Sequence, residues 1–117
     1  MKIDFFVENS MGDPTPWCRT DVVGPDQVDL LACLLLDDGG LSLGHTISWL
    51  DEGLSRVMSV RDAQRAFVDW WRETWGADIY NKEVKIYSLH DETFAVTISL
   101  DDFEKALRDW KAFLLSF

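Results

Sequence analysis

No lysine or arginine occurs between Thr20 and Ser55, although that stretch holds seven carboxylates: Asp21, Asp26, Asp29, Asp37, Asp38, Asp51 and Glu52. A surface of one sign lowers affinity for nucleic acid and raises association rates with basic partners. The whole chain carries a formal charge of −10 at pH 7. Residues 1–60 hold ten acids against Lys2, Arg19 and Arg56, whereas residues 61–117 hold eleven acids against eight bases. Direct binding to DNA, RNA or an anionic membrane is disfavoured, because phosphate contacts need clustered Lys and Arg. Solubility alone is the competing explanation of the acidity.

Cysteine is scarce too. Cys18 and Cys33 are the only two, and their spacing fits neither a CxxC nor a zinc pattern. Cys33 lies in the run Leu30–Leu36 and reads as a small core hydrophobe. Cys18 lies in a Pro-rich segment and reads as a free thiol in a loop. Asp4 and Glu8 interrupt the N-terminus, so no positive n-region precedes an apolar core there. The longest apolar run falls well short of the roughly 20 residues that span a bilayer. A reduced, cytoplasmic setting is the expectation.

Catalytic signatures are missing as well: no GxSxG, HExxH, Walker A or GxGxxG is present. Asp37-Asp38-Gly39-Gly40 lacks the alternating acids and final Glu of an EF-hand, and reads as a turn. Carboxylates could hold Mg²⁺ together with substrate phosphates, but the acidic stretch offers no base for those phosphates. His45 falls on the apolar side of the 41–49 pattern, which predicts a core histidine. His90-Asp91-Glu92 sets a base beside two acids, yet neighbours in a tight turn diverge. No cofactor and no metal are expected.

What is present suits one α+β domain over residues 1–117. Hydrophobic residues make up 47% of the chain and aromatics 13%, enough for a core without disulfides or metal. Residues 2–7 predict an opening strand, and Asn9–Asp26, with Pro14, Pro16, Gly24 and Pro25, predicts a long loop. Residues 27–36 suit a helix capped by Asp26, although a buried strand fits the same apolar run. Ile47, Leu50, Leu54 and Val57 predict a helix over about 46–57, weakened at Gly53 by about 1 kcal/mol relative to Ala. Ser59 and Asp62 suggest the start of another helix over Val60–Trp75, with Ala63, Ala66, Phe67, Trp70, Trp71 and Thr74 as its apolar stripe and Gly76 as its stop.

The C-terminal third is the clearest. Lys82–Leu89 and Thr93–Ser99 read as strands joined by a turn at residues 90–92. Ser99 caps a last helix whose Phe103, Ala106, Leu107, Trp110, Phe113 and Leu114 form a one-sided stripe. Asp101 with Lys105 and Glu104 with Arg108 are i,i+4 pairs, each worth about 0.3–0.5 kcal/mol. The expected architecture is a small antiparallel sheet packed against three to four helices, with the C-terminal helix on the sheet.

Six Trp are too many to bury completely in a chain of this size. Trp70 and Trp71 are adjacent, so both are hard to bury at once, and a half-exposed Trp near carboxylates makes a good protein-binding anchor.

The run Lys82–Leu115, KEVKIYSLHDETFAVTISLDDFEKALRDWKAFL, resembles the C-terminal module of small immunity proteins. These belong to bacterial contact-dependent growth inhibition and polymorphic toxin systems. The resembling features are Val84 and Ile86, the turn His90-Asp91-Glu92, the helix start at Ile98-Ser99-Leu100, and the stripe Phe103, Leu107, Trp110 and Phe113. The resemblance implies a non-enzymatic inhibitor that binds one cognate toxin domain and covers its active site or substrate groove. Nuclease toxins have basic grooves, which an acidic inhibitor can occupy with a steered on-rate. Asp37, Asp38, Asp51 and Glu52 would then supply charge complementarity, with Trp71 or Trp75 as an aromatic anchor. A non-catalytic adaptor domain is the alternative, and a small carboxylate-dependent hydrolase comes last.

Overall fold

Alternation of apolar and polar residues builds the larger sheet of this computed structural model, which describes residues 1–10 and 12–117. Its four antiparallel strands are β3 (Phe67–Trp71), β4 (Trp75–Tyr80), β5 (Glu83–Ser88) and β6 (Asp91–Ser99), in that spatial order. Ala77, Ile79, Val84 and Ile86 point to one face and are fully buried. A second sheet is the antiparallel hairpin of β1 (Ile3–Glu8) and β2 (Thr15–Thr20). Three helices, α1 (Leu30–Leu36), α2 (Leu43–Arg61) and α3 (Leu100–Ser116), pack with these strands. The fold is α+β, and α3 lies against the sheet as its apolar stripe requires. Phe103, Ala106, Leu107, Trp110 and Leu114 are buried, and Ser99 accepts the Asp102 N–H at 3.0 Å as the N-cap.

The segment 60–75 differs from its helical expectation. α2 begins earlier, at the Ser42 cap, and ends at Arg61, where Ala63 adopts a left-handed conformation (φ 58°). The Gln64 and Arg65 N–H groups then return to the Ser59 carbonyl. Ser59 is therefore inside α2, and its hydroxyl donates to the Arg56 carbonyl. Beyond it, Val68 and Trp70 face inward while Phe67, Asp69 and Trp71 face outward, the period of a strand. Gly76 is not a helix stop; it sits in β4 beneath the Tyr87 ring, where a Cβ would lie 3.3 Å from Tyr87 Cζ and 2.9 Å from a Leu89 methyl.

The expected loop 9–26 also contains structure. β2 runs through Pro16 and pairs only with β1, an edge position that tolerates a missing N–H. Cys18 is consequently not in a loop: it is buried on β2, and that burial pushes its thiol up to about 12, with Asp29 and Cys33 adding to the shift. Cys33 on α1 is half-buried and also raised, by burial and then by Asp29. Thiols shifted this way are poor nucleophiles at neutral pH. The helix expected over residues 27–36 is present only as Leu30–Leu36, and its cap is Asp29 rather than Asp26. Asp29 accepts the Ala32 N–H (3.0 Å) and, from β2, the Thr20 N–H and hydroxyl (both 2.6 Å). Asp26 instead sits in a short 3₁₀ turn, Pro25–Gln27, with φ 57°.

A stack of aromatics links α2 to the sheet. Trp49 lies parallel to Trp70 with centroids 3.9 Å apart, and Trp70 meets Phe103 of α3 edge-on at 5.9 Å. Gly53 leaves room for this stack, since a Cβ there would sit 2.6 Å from Trp70 Cζ2. The Arg72 guanidinium covers the other side of Trp49 at 4.6 Å. No described helix is long and apolar enough to cross a membrane.

Candidate functional site

The carboxylates of the base-free stretch mostly serve the fold. Asp37 follows α1 and accepts the Thr74 and Trp75 N–H groups at 2.8 and 3.1 Å, pinning the β3–β4 turn. Asp38 accepts the Gly40 N–H at 2.9 Å in a turn where Gly39 and Gly40 both have positive φ, so the Asp-Asp-Gly-Gly segment is the turn that the sequence suggests. Asp51 pairs with Lys111 across α2 and α3, and Glu52 pairs with Arg56 one turn along α2. Asp21 accepts the Lys2 N–H, and Asp29 is the half-buried cap described above. A stretch without bases in sequence is therefore joined to bases and amides from elsewhere in the chain.

The two anchor candidates lie on opposite faces of the larger sheet. Trp75 shares the inward side with Ala77 and Ile79 and packs against Phe94 at 6.2 Å. Trp71 points outward and is 52% exposed, whereas adjacent Trp70 is 1% exposed. Of the six candidates, Glu52 and Trp71 come together, through Arg56: its guanidinium bonds Glu52 at 2.6 Å and lies 5.8 Å from the Trp71 ring. Asp37 meets Trp75 through its backbone N–H and not through its ring.

Trp71 belongs to a larger surface that sequence periodicity missed. The helices cover one face of the four-stranded sheet, and the other faces solvent. Strand register sets the outward residues in rows: Phe67 beside Tyr80; Asp69 beside Asp78, Lys85 and Thr97; Trp71 beside Gly76, Tyr87 and Ala95. Phe67 and Tyr80, each more than 40% exposed, meet at a tilt of 33° with ring centroids 5.1 Å apart. Aromatic rings and carboxylates thus share an open face, where aliphatic side chains would be expected only if something covered it.

Several polar groups on this face have internal partners. Tyr87 donates its hydroxyl to Asp78 at 3.0 Å, and burial, then that bond and the nearby acids, raise the phenol above its ordinary range. Lys85 lies over Tyr87 at 5.4 Å. Arg56 donates to the Asp69 carbonyl and sits 3.9 Å from its carboxylate, and Trp49 donates its indole N–H to the Trp71 carbonyl at 3.0 Å. Two carbonyls of β3 are thereby taken by side chains, which blunts the sheet's edge against pairing with another strand. A groove of about 620 Å³ runs between α2 and β3, lined in part by Ser55, Arg56, Phe67, Asp69 and Trp71.

The histidines do not converge with these groups. His45 is not in the core: it is exposed in the first turn of α2, with Nδ1 2.7 Å from the Ser42 hydroxyl. His90 is exposed at the β5–β6 turn, and Asp91 beside it accepts the Thr93 N–H and hydroxyl. Comparisons with protein-family models, with curated proteins and with solved structures find no match to this chain.

Proposed function

We propose that this protein is a non-catalytic inhibitor of the immunity type, which binds a basic toxin domain in the cytoplasm and covers its active site or substrate groove. The observation that carries this reading is the open sheet face, where Phe67, Trp71, Tyr80 and Tyr87 alternate with Asp69, Asp78 and Glu83. Rings of this kind supply large contact area and stack on cations, and the carboxylates complement a groove that normally holds phosphates. The resemblance of Lys82–Leu115 to immunity proteins supports the same reading. The proposed partner surface is the sheet face and not the acidic stretch, with Trp71 and Glu52 at its margin.

Co-expression with the product of the neighbouring gene tests it. Growth should be restored when that product is toxic alone, and the two proteins should co-elute as a complex. A toxic product that is neither bound nor neutralised sinks the proposal. A non-catalytic adaptor is the second reading. One observation favours it: most carboxylates between Thr20 and Ser55 already have internal partners, so acidity there needs no external one.

A further inference from the structure

Aromatic rings and acids recur on the open face in a common unit, and two such units already hold a cation of the protein's own. Trp71 has Asp69 beside it and the Arg56 guanidinium 5.8 Å from its ring. Tyr87 has Asp78 bonded to its hydroxyl and the Lys85 ammonium 5.4 Å from its ring. Phe67 and Tyr80 make the third, with rings 5.1 Å apart. Asp69 and Asp78 follow two residues along and two residues back on the same strand faces, and Glu83 is exposed across the β4–β5 turn. Among the described residues, no cation lies over either ring and no ion pair holds Glu83.

We infer that the Phe67–Tyr80 pair, with Glu83, is a subsite for an arginine side chain presented by the basic partner. This rests on the reading of the protein as a binder of a basic domain. Arginine fits better than lysine, because its planar guanidinium stacks on a ring while its N–H groups reach a carboxylate in the ring plane. A second copy of this chain is a poor occupant: each copy carries −10, and matched faces would oppose Asp69 and Asp78 to their own kind. Strand addition at β3 is also disfavoured, since Arg56 and Trp49 occupy the Asp69 and Trp71 carbonyls. The partner segment therefore lies across the face and not along the β3 edge.

The test uses nuclear magnetic resonance on the full chain with an acetylated, amidated octapeptide of alternating Arg and Gly, and with its Lys and Glu counterparts. The Arg peptide should shift the ring resonances of Phe67 and Tyr80 and the amide of Glu83, and should bind several-fold more tightly than the Lys peptide; the Glu peptide should not bind. Tyr80→Ala and Glu83→Gln should each weaken the Arg peptide about three- to tenfold, the scale of one cation–aromatic or charge-assisted contact. Because Tyr80→Ala could perturb the strand, Glu83→Gln serves as the variant that leaves the rings in place. Shifts centred on residues 20–55, equal affinity for Arg and Lys peptides with no effect of Glu83→Gln, or no binding at millimolar peptide would each overturn the inference. Toxin neutralisation is scored separately: a protein that neutralises but fails the peptide test loses this subsite and keeps the broader function, and the reverse result does the opposite.

Discussion

Asp37 is where acidity and architecture are most easily confused. Its carboxylate is the acceptor for two backbone N–H groups in the β3–β4 turn, so Asp37→Ala leaves both without that partner. A destabilisation of about 1–3 kcal/mol is expected, read from the midpoint of urea unfolding, and under the proposed function partner binding by the folded fraction should be unchanged. Gly53 presents the opposite balance. Replacing it with Ala gains about 1 kcal/mol of helix propensity, but the new Cβ would sit 2.6 Å from Trp70 Cζ2. Overpacking of a tight core costs about 1–3 kcal/mol, and Cζ2 belongs to a ring clamped between Trp49 and Phe103. Gly53→Ala should therefore lower stability in the same assay, whereas a net gain would mean that the stack is loose. Residue-level signals were partly legible: Ser99 as a cap followed from its spacing, while Gly53 reads as a weak point of a helix because nothing in the sequence reveals the ring above it.

At the scale of elements, β5, β6 and α3 were readable because alternation, turn and cap agree there. The 60–75 segment was not, because Phe67, Trp70, Trp71 and Thr74 satisfy helical spacing as well as they satisfy a strand. What decides it is tertiary: Trp70 fills the space over Gly53, and Asp37 closes the following turn. β2 was hidden because Pro14 and Pro16 punctuate the start of a strand that pairs on one side only. The ion pairs of α3 also regroup. Glu104 and Arg108 pair as their spacing predicts, but Lys105 turns to Asp109, and Asp101 joins Arg61 at the end of α2. Glu104 is held below its ordinary value of 4.5 by the Arg108 hydrogen bond first and by Arg61 as well. A carboxylate lowered in the folded state contributes stability that is full above its unfolded value and is lost as pH falls through the folded one. Stability should thus decline as pH drops below about 4.5, and Arg61→Gln should flatten that part of the profile in pH-dependent urea unfolding. An unchanged slope would show that the α2–α3 bridge carries no net weight.

The whole molecule has one sheet face closed by helices and one left open. Charge alone pointed to residues 20–55, because sequence order cannot show that Asp51 meets Lys111 or that Glu52 meets Arg56. Strand register, once known, gathers acids and rings from β3, β4 and β5 onto one surface. Electrostatic steering by that surface sets a kinetic expectation. Under the proposed function, Asp69→Lys combined with Asp78→Lys should slow association with a basic toxin domain about tenfold or more at low salt, and should reduce the dependence of the rate on ionic strength. Asp26→Lys combined with Asp38→Lys should change it much less. Stopped-flow association rates compare the two.

Amide hydrogen exchange of the protein, alone and saturated with a toxin domain that co-expression shows it to neutralise, tests the proposed interface most directly. Protection is expected over 67–71, 76–80 and 83–87, the three strands that present the aromatic and acidic rows. Protection confined to 21–52, with those strands exchanging as in the free protein, would contradict it.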